Sequence, residues 1–505
     1  MNEQDKTALM PRVREDFIPK QDPWGEAPVE FEPTTGGHRA RRSRAYAWLV
    51  PGLVMAVLGG VELGRPGLWA DEFATWGMAG IPWRESVAIL RYVDAVIAPY
   101  YALMHGWVGL VGTSDLALRA PSVAAMALAA ALTGAIGGRL AGPRVGLLAG
   151  LLFAVLPSSS RFAQEARPYA MALFAATLVT YLFVRILQRP RFGWFIAYTV
   201  AVALLGLSHF VALLLLVGHG WVLLARRRRL VFGWSAAVLV GVLPVLPLVW
   251  LGNRQRHQVA WIGQLTDGSR IFLDTMFGAV LVAGVLAVLA LFSLPLRYPS
   301  SVYTAWAVLP ALSLFAVSQV LPLFLPRYLL FTLPAWALLA GAALGRVRPV
   351  WAVLVLVAVA AVGVPTQVKI RSSAGHEDAT RELAAVVSRG YQPGDGVVYS
   401  AGDEFKGSGW VPRDTLAHYV PADRRPRDVF LKSPQRTGGR LLATECEDPD
   451  TCLGSTPRLW VIRLGNRADP LRELGDRKED LVRFRYRQQQ VWHPRNFTVA
   501  LMVVK

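Results

Sequence analysis

The sequence predicts an all-α polytopic membrane protein of about eleven transmembrane helices, followed by a small α/β domain outside the bilayer. Three observations predict it. The 505-residue chain is 53% hydrophobic and only 17% charged, with mean hydropathy +0.37, too apolar for a soluble enzyme of this length. Its formal charge of +18 comes largely from arginines clustered between apolar runs, the pattern of a topology signal rather than of a nucleic-acid surface. After Pro365 the composition turns polar and charged, and residues 366–505 are enough for a small domain of their own. The same composition excludes a disulfide scaffold. The only cysteines, Cys446 and Cys452, lie six residues apart, carry no metal signature and allow one local disulfide.

The elements follow in order. Residues 1–44, rich in Glu, Asp, Pro and Gly, read as a disordered cytoplasmic tail without a cleavable signal peptide, ending in Arg39, Arg41, Arg42 and Arg44. Those arginines hold the N-terminus inside, so the apolar run 45–61 exits outward. The blocks Arg226 to Arg229, and Arg185 with Arg189 and Arg191, are likewise cytoplasmic. Residues 194–224 between them form two short spans that turn near His209 at the outer face. By parity 168–184 descends, 144–157 ascends from the turn marked by Arg139 and Arg144, and 158–169 faces outward. Residues 99–112 are apolar but fall short of the roughly 20 residues a crossing needs. They read as an in-plane or re-entrant helix within a large first outer loop, 62–119, and 120–138 is the second span. Further spans are expected at 231–251, 272–294, 302–321, from 326 to the arginines at 346 and 348, and at 350–364. The odd total leaves the C-terminal domain outside, where oxidising conditions permit Cys446 to pair with Cys452. That domain opens with a helix over 377–389, Leu383, Val386 and Val387 inward, then a Pro-Gly-Asp-Gly turn and a strand at 397–399. Val482, Phe484 and Tyr486 alternate with arginines in a strand pattern, and 497–504 supplies another.

No nucleotide-binding or metalloprotease motif and no internal repeat is present. Chemistry is therefore sought among charges beside the spans. Asp71 and Glu72 sit in LWADEFATW, between aromatic residues at the start of the first outer loop. Adjacent carboxylates on a loop diverge, so one can act as general base while the other orients a neighbour; the alternative is an interfacial aromatic belt with two solvated acids. By parity Asp94, Glu165, Arg167, His209, Arg327 and Tyr328 join them at one membrane face, and such a cluster marks a substrate site. Arg327 is suited to a bidentate phosphate contact, or else to lipid phosphate. Glu165 and Arg167 pair with each other or with other groups of the site. His209 is either a packing residue or a site residue, and Asp94 either faces the cavity or caps the next helix.

These stretches, with VDAVIAPYYALMHGW at 93–107, LRAPS at 118–122, SRFAQEARPYA at 160–170, SHF at 208–210 and LPRYLL at 325–330, resemble the GT-C glycosyltransferases that use polyprenyl-phosphate sugars. The resemblance is to family 39 and the protein O-mannosyltransferase-like group, including an actinobacterial mannosyltransferase group, and it covers residues 45–365. It implies an inverting transfer, on the outer face of the plasma membrane, of mannose or another hexose or pentose from a polyprenyl-phosphate donor to a lipid, glycan or protein hydroxyl. Asp71 then matches the catalytic base and Glu72 its partner acid. Arg327, Tyr328 and Arg167 would hold the donor phosphate, which is the electrostatic stabilisation a leaving phosphate needs. Asp94, Tyr100, Glu165 and His209 would line the substrate cavity. Many members carry His near the position of Ile97; its absence leaves that phosphate contact unassigned. No nucleotide cofactor is implied, and a single acidic pair leaves the divalent metal used by some members open.

Two other classes compete. A lipid-linked sugar flippase also places charges in an apolar bundle, but alternating access favours groups near the midplane and an internal repeat. A membrane scaffold with an outer interaction domain would not require the spread of matching motifs.

Overall fold

Apolar runs in this chain fold as helices because, in lipid, each backbone N–H and C=O must find its partner within its own segment. The computed structural model describes residues 38–258, 262, 268–293, 300–321, 323–400, 409–472 and 474–505. Nearly all of the tail expected over 1–44 and the arginine at 297 lie outside these. Six helices are long and apolar enough to cross a membrane: Asp115–Leu140, Tyr169–Gln188, Arg228–Arg254, Ser301–Ser318, Pro326–Leu344 and Pro349–Ile370. The pair Pro143–Val155 and Pro157–Ala163, bent by 65°, is long and apolar enough only when taken together, as one broken span or a re-entrant loop. Pro157 opens the second half of that pair, where its missing N–H costs nothing, and ends the first. Shorter apolar helices at Ala45–Gly60, Phe192–Ser208, Phe210–Arg226 and Val280–Leu291 fall at the remaining expected crossings. The 14-residue helix Ala98–Val111 occupies the stretch read as in-plane.

Three boundaries differ from expectation. Ser114 caps the next helix, its side chain accepting from Ala117 N at 3.3 Å, so the span begins at Asp115 and carries Arg119 inside its second turn. Gly278, at φ +80°, splits the expected 272–294 span into Gly268–Phe277 and Val280–Leu291; a Cβ there would also lie 2.5 Å from Pro157. The last membrane helix runs through Pro365 to Ile370.

The bundle packs through small residues. A Cβ on Gly134 would lie 2.0 Å from the carbonyl oxygen of Ala47, and one on Gly146 2.3 Å from that of Gly134, so three helices meet backbone to backbone. Asp115 and Arg139 stand at opposite ends of one 26-residue helix, about 39 Å long at 1.5 Å per residue. At the Arg139 end Gln188 donates to the Arg139 carbonyl, Arg144 to that of Val347 and Arg346 to that of Phe292. Arg139, Arg144 and Arg346 so gather at one end of the bundle, and Asp115 stands at the other.

The C-terminal part holds a five-stranded sheet in the order Arg427–Asp428, Gly396–Tyr399, Arg458–Leu464, Phe497–Val504, Tyr486–Trp492. The first three strands are parallel and the last two pair antiparallel. The helix Thr380–Gly390 buries Leu383, Val386 and Val387 as expected. The alternation at 482–486 is not a strand. Asp476–Arg485 is a helix that buries Leu481 and Val482, leaves Phe484 78% exposed and places Asp476 and Glu479 in its first turn, favourable to the helix dipole; the strand starts at Tyr486. Cys446 and Cys452 form a disulfide. One hydrophobic core unites the sheet with the first loop: Leu68, Phe73, Met78, Tyr101 and Met104 pack in the same cluster as Leu383, Val397, Trp460 and Val499.

Candidate active site

Asp71 and Glu72 open the helix Ala70–Gly80, and their environments are opposite. Glu72 is fully buried. Arg119 reaches it from the second turn of its helix with a two-pronged grip, Nε donating to Oε1 at 2.8 Å and Nη2 to Oε2 at 2.7 Å. The Ala166 N–H adds 2.9 Å to Oε1, and His376 Nδ1 lies 3.4 Å from Oε2. Burial alone would raise this carboxyl; the Arg119 charge and hydrogen bonds, with His376, bring it far below the ordinary range. The remaining Arg119 donors reach the carbonyls of Leu63, Pro66 and Gly67. Burial and the Arg161 and Arg119 charges push the His376 imidazole down to about 3, so it is neutral at physiological pH.

Asp71, its side chain 28% exposed, faces outward instead. Its Oδ2 lies 3.5 Å from Arg327 Nη1 and 3.8 Å from Arg167 Nε, and Arg167 Nη1 donates to its backbone carbonyl at 3.4 Å. Asp71 Oδ2, Arg167 Nε and Arg327 Nε are buried atoms without a hydrogen bond. A carboxylate and two guanidiniums in loose contact, with unused donors, suit an anion bearing several oxygens.

The other expected residues surround this centre. Tyr169 lies beneath Arg327, whose guanidinium carbon is 5.8 Å from the ring centroid. The His209 ring lies tilted beside it at 5.7 Å and against Tyr328 at 4.8 Å. Asp94 occupies the cap position before the next turn but makes no capping bond; its Oδ2 accepts instead from the Tyr101 hydroxyl at 3.0 Å. Burial raises its carboxyl, opposed by the nearby Arg167 charge. Tyr100 is buried with its ring 6.4 Å from Tyr101. Glu165 pairs with Arg161 at 2.8 Å rather than with Arg167, and burial outweighs that charge to push it up to about 7.

Arg119, Arg161, Tyr101, Tyr169 and His376 were not assigned roles from sequence. The first four lie inside the motifs already quoted, one to a few residues from named positions. His376 had no signal, standing more than 300 positions from its partner in a polar stretch.

Residues 98–250 match the model of the dolichyl-phosphate-mannose-protein mannosyltransferase family. The structure resembles that of ArnT from Cupriavidus metallidurans in the apo state, with TM-score 0.58 at 15% identity over 90% of this chain and 97% of that one. It resembles the same protein bound to undecaprenyl phosphate at TM-score 0.56 and 14% identity, over 90% and 98% of the two chains. The chain has the GT-C glycosyltransferase fold. No curated protein sequence matches it. Within this GT-C fold the donors present do not suit a divalent cation. Glu72 is taken up by Arg119, Asp71 is flanked by two guanidiniums, and no group of three or more metal-ligating side chains occurs among the described residues.

Proposed function

We propose that the chain is an inverting glycosyltransferase that moves a sugar, mannose or another hexose or pentose, from a polyprenyl-phosphate donor to an acceptor hydroxyl at the outer face of the plasma membrane. The observation that carries this reading is Asp71 between Arg167 and Arg327, beside the Glu72–Arg119 pair and so at the end of the Asp115–Leu140 helix away from Arg139. The two guanidiniums receive the donor phosphate, and Tyr328 and His209 frame it. Asp71, released from them by the incoming anion, takes the proton of the acceptor hydroxyl. That oxygen attacks the anomeric carbon, the bond from this carbon to the phosphate oxygen breaks, and the lipid phosphate leaves with the electron pair. The arginines stabilise charge that grows on the leaving oxygen, the kind of preorganised electrostatics that lowers such barriers most. Glu72 orients the turn rather than reacting. The family match over 98–250, and the binding of undecaprenyl phosphate by ArnT, support a polyprenyl-phosphate donor. The disulfide supports an oxidising location for the C-terminal domain, and the arginine blocks support a cytoplasmic N-terminus.

The test is release of lipid phosphate by purified protein in lipid from a panel of polyprenyl-phosphate hexoses and pentoses, with membrane extract as acceptor. Release with sugar transfer, and a donor KM raised at least about tenfold in Arg327→Gln, is expected. Movement of intact lipid-linked sugar across vesicles without release would contradict the proposal and favour a flippase.

A further inference from the structure

The turn that carries Asp71 lacks a cap of its own: Trp69, at the cap position of the Ala70–Gly80 helix, makes no side-chain capping bond. Beside the bonds from Arg119, Ala166 and Arg167, several polar groups of residues 67–72 are held by residues beyond the last membrane helix. Asp378 Oδ2 accepts from Ala70 N at 3.1 Å, next to Asp71. Thr380 Oγ1 donates to the Leu68 carbonyl at 2.8 Å, and the Tyr419 hydroxyl accepts from Leu68 N at 2.8 Å. Gly67 N donates to the Ser373 carbonyl at 3.0 Å, and His376 touches the Glu72 carboxylate at 3.4 Å. The fit at Gly67 is close, since a Cβ there would lie 2.3 Å from Thr380 Oγ1. Between His376 and Asp378, Glu377 is in the left-handed region at φ 77°, which a residue with a Cβ adopts at a cost. The conformation persists because its surroundings fix it: Asn496 Nδ2 donates to the Glu377 carbonyl at 3.3 Å and to Asp378 Oδ1 at 3.0 Å. Such strain lets the neighbours on both sides of residue 377 reach the same helix turn.

We infer that Asp378 and His376, supplied by the C-terminal domain, are positioning residues of the active site: they cap and orient the first turn of the helix that presents Asp71. Asp378 acts through the Ala70 N–H and His376 through Glu72, and neither needs to touch substrate. The C-terminal domain is on this account part of the catalytic centre as well as a folded appendage. The inference rests on the glycosyltransferase reading for its kinetic consequence but not for its structural one.

The experiment uses the full-length protein in lipid, comparing Asp378→Ala with Asp378→Asn, whose amide oxygen can still accept from Ala70 N. Turnover, donor KM and hydrogen–deuterium exchange are measured together. Asp378→Ala is expected to lose at least about tenfold in kcat with donor KM within about twofold. Amide exchange should rise over residues 67–76 and not in the membrane helices, and Asp378→Asn, which keeps the bond from Ala70 N but gives up the one from Asn496, should restore part of both. Unchanged exchange over 67–76, or loss of donor binding and turnover in the same proportion, would overturn the inference. If Asp378→Ala does not fold, Thr380→Val removes one bond of the same clamp and carries the same readouts. A wild-type protein that releases no lipid phosphate would sink the glycosyltransferase reading, while the exchange data would still decide the clamp.

Discussion

Asp71 and Glu72 are adjacent in sequence, yet one faces two arginines with unused donors and the other is enclosed by Arg119, Ala166 and His376. The difference predicts different failures. Glu72→Gln leaves the Arg119 guanidinium buried beside a neutral partner, and removing one member of a buried pair costs about 3–5 kcal/mol. A marked drop in melting temperature is expected, with expression reduced; a variant that melts like the wild type would show that the pair is not structural. Glu165 predicts a pH effect. Its folded pKa of about 7 lies above the value near 4.5 expected unfolded, so its contribution to stability falls as pH rises between these values. Ionisation also adds a carboxylate near Asp71 and disfavours an incoming phosphate. Donor KM should rise between pH 6 and pH 8 in the wild type, and Glu165→Gln should flatten that rise; an identical profile in the variant would remove Glu165 from the site. At this scale the sequence made the acids and arginines visible because charge beside a span is costly without a role. It could not assign Glu165 to Arg161 over Arg167, nor find His376, because pairing depends on helix rotation and on a contact more than 300 residues away.

Helix placement was more legible than helix length. A helix or a broken pair of helices stands at each stretch read as a crossing, and the 14-residue stretch around Tyr100 and Tyr101 is a short helix whose tyrosines pack with Leu68 and Phe73. What periodicity missed depended on single residues with local chemistry: Ser114 as a cap, Gly278 as a break, and a helix at 476–485 where alternate apolar residues suggested a strand. The close approach at Gly134 gives a prediction for the membrane elements. A Cβ there would lie 2.0 Å from the backbone of Ala47, so Gly134→Val must separate two helices, and overpacking of this kind typically costs about 1–3 kcal/mol. Thermal unfolding in detergent should record the loss, whereas Gly60→Val, where a Cβ meets nothing within 4 Å, should not. Equal melting temperatures would contradict the packing.

Over the whole molecule, the parity argument from arginine blocks grouped Asp71, Asp94, Glu165, His209 and Arg327 at one face, although they span more than 250 positions. The structure gathers them about one centre, with the C-terminal domain packed on the same side through the core it shares with the first loop. The shared core was not legible, because it joins residues as far apart in the chain as Leu68 and Val499. Sidedness follows as a prediction. Gln489→Cys, in the C-terminal sheet, should react with an impermeant maleimide on intact cells, and Arg228→Cys only after permeabilisation; the reverse would invert the topology. The central claim is that Asp71 is the base of a sugar transfer from a lipid phosphate. Its most direct test is Asp71→Asn beside the wild type, both purified in lipid, with labelled polyprenyl-phosphate sugar turnover and polyprenyl-phosphate binding measured on the same samples. The account predicts turnover reduced by about 10²–10⁴, the usual weight of a positioned general base, with binding retained. Equal turnover in the variant would contradict it.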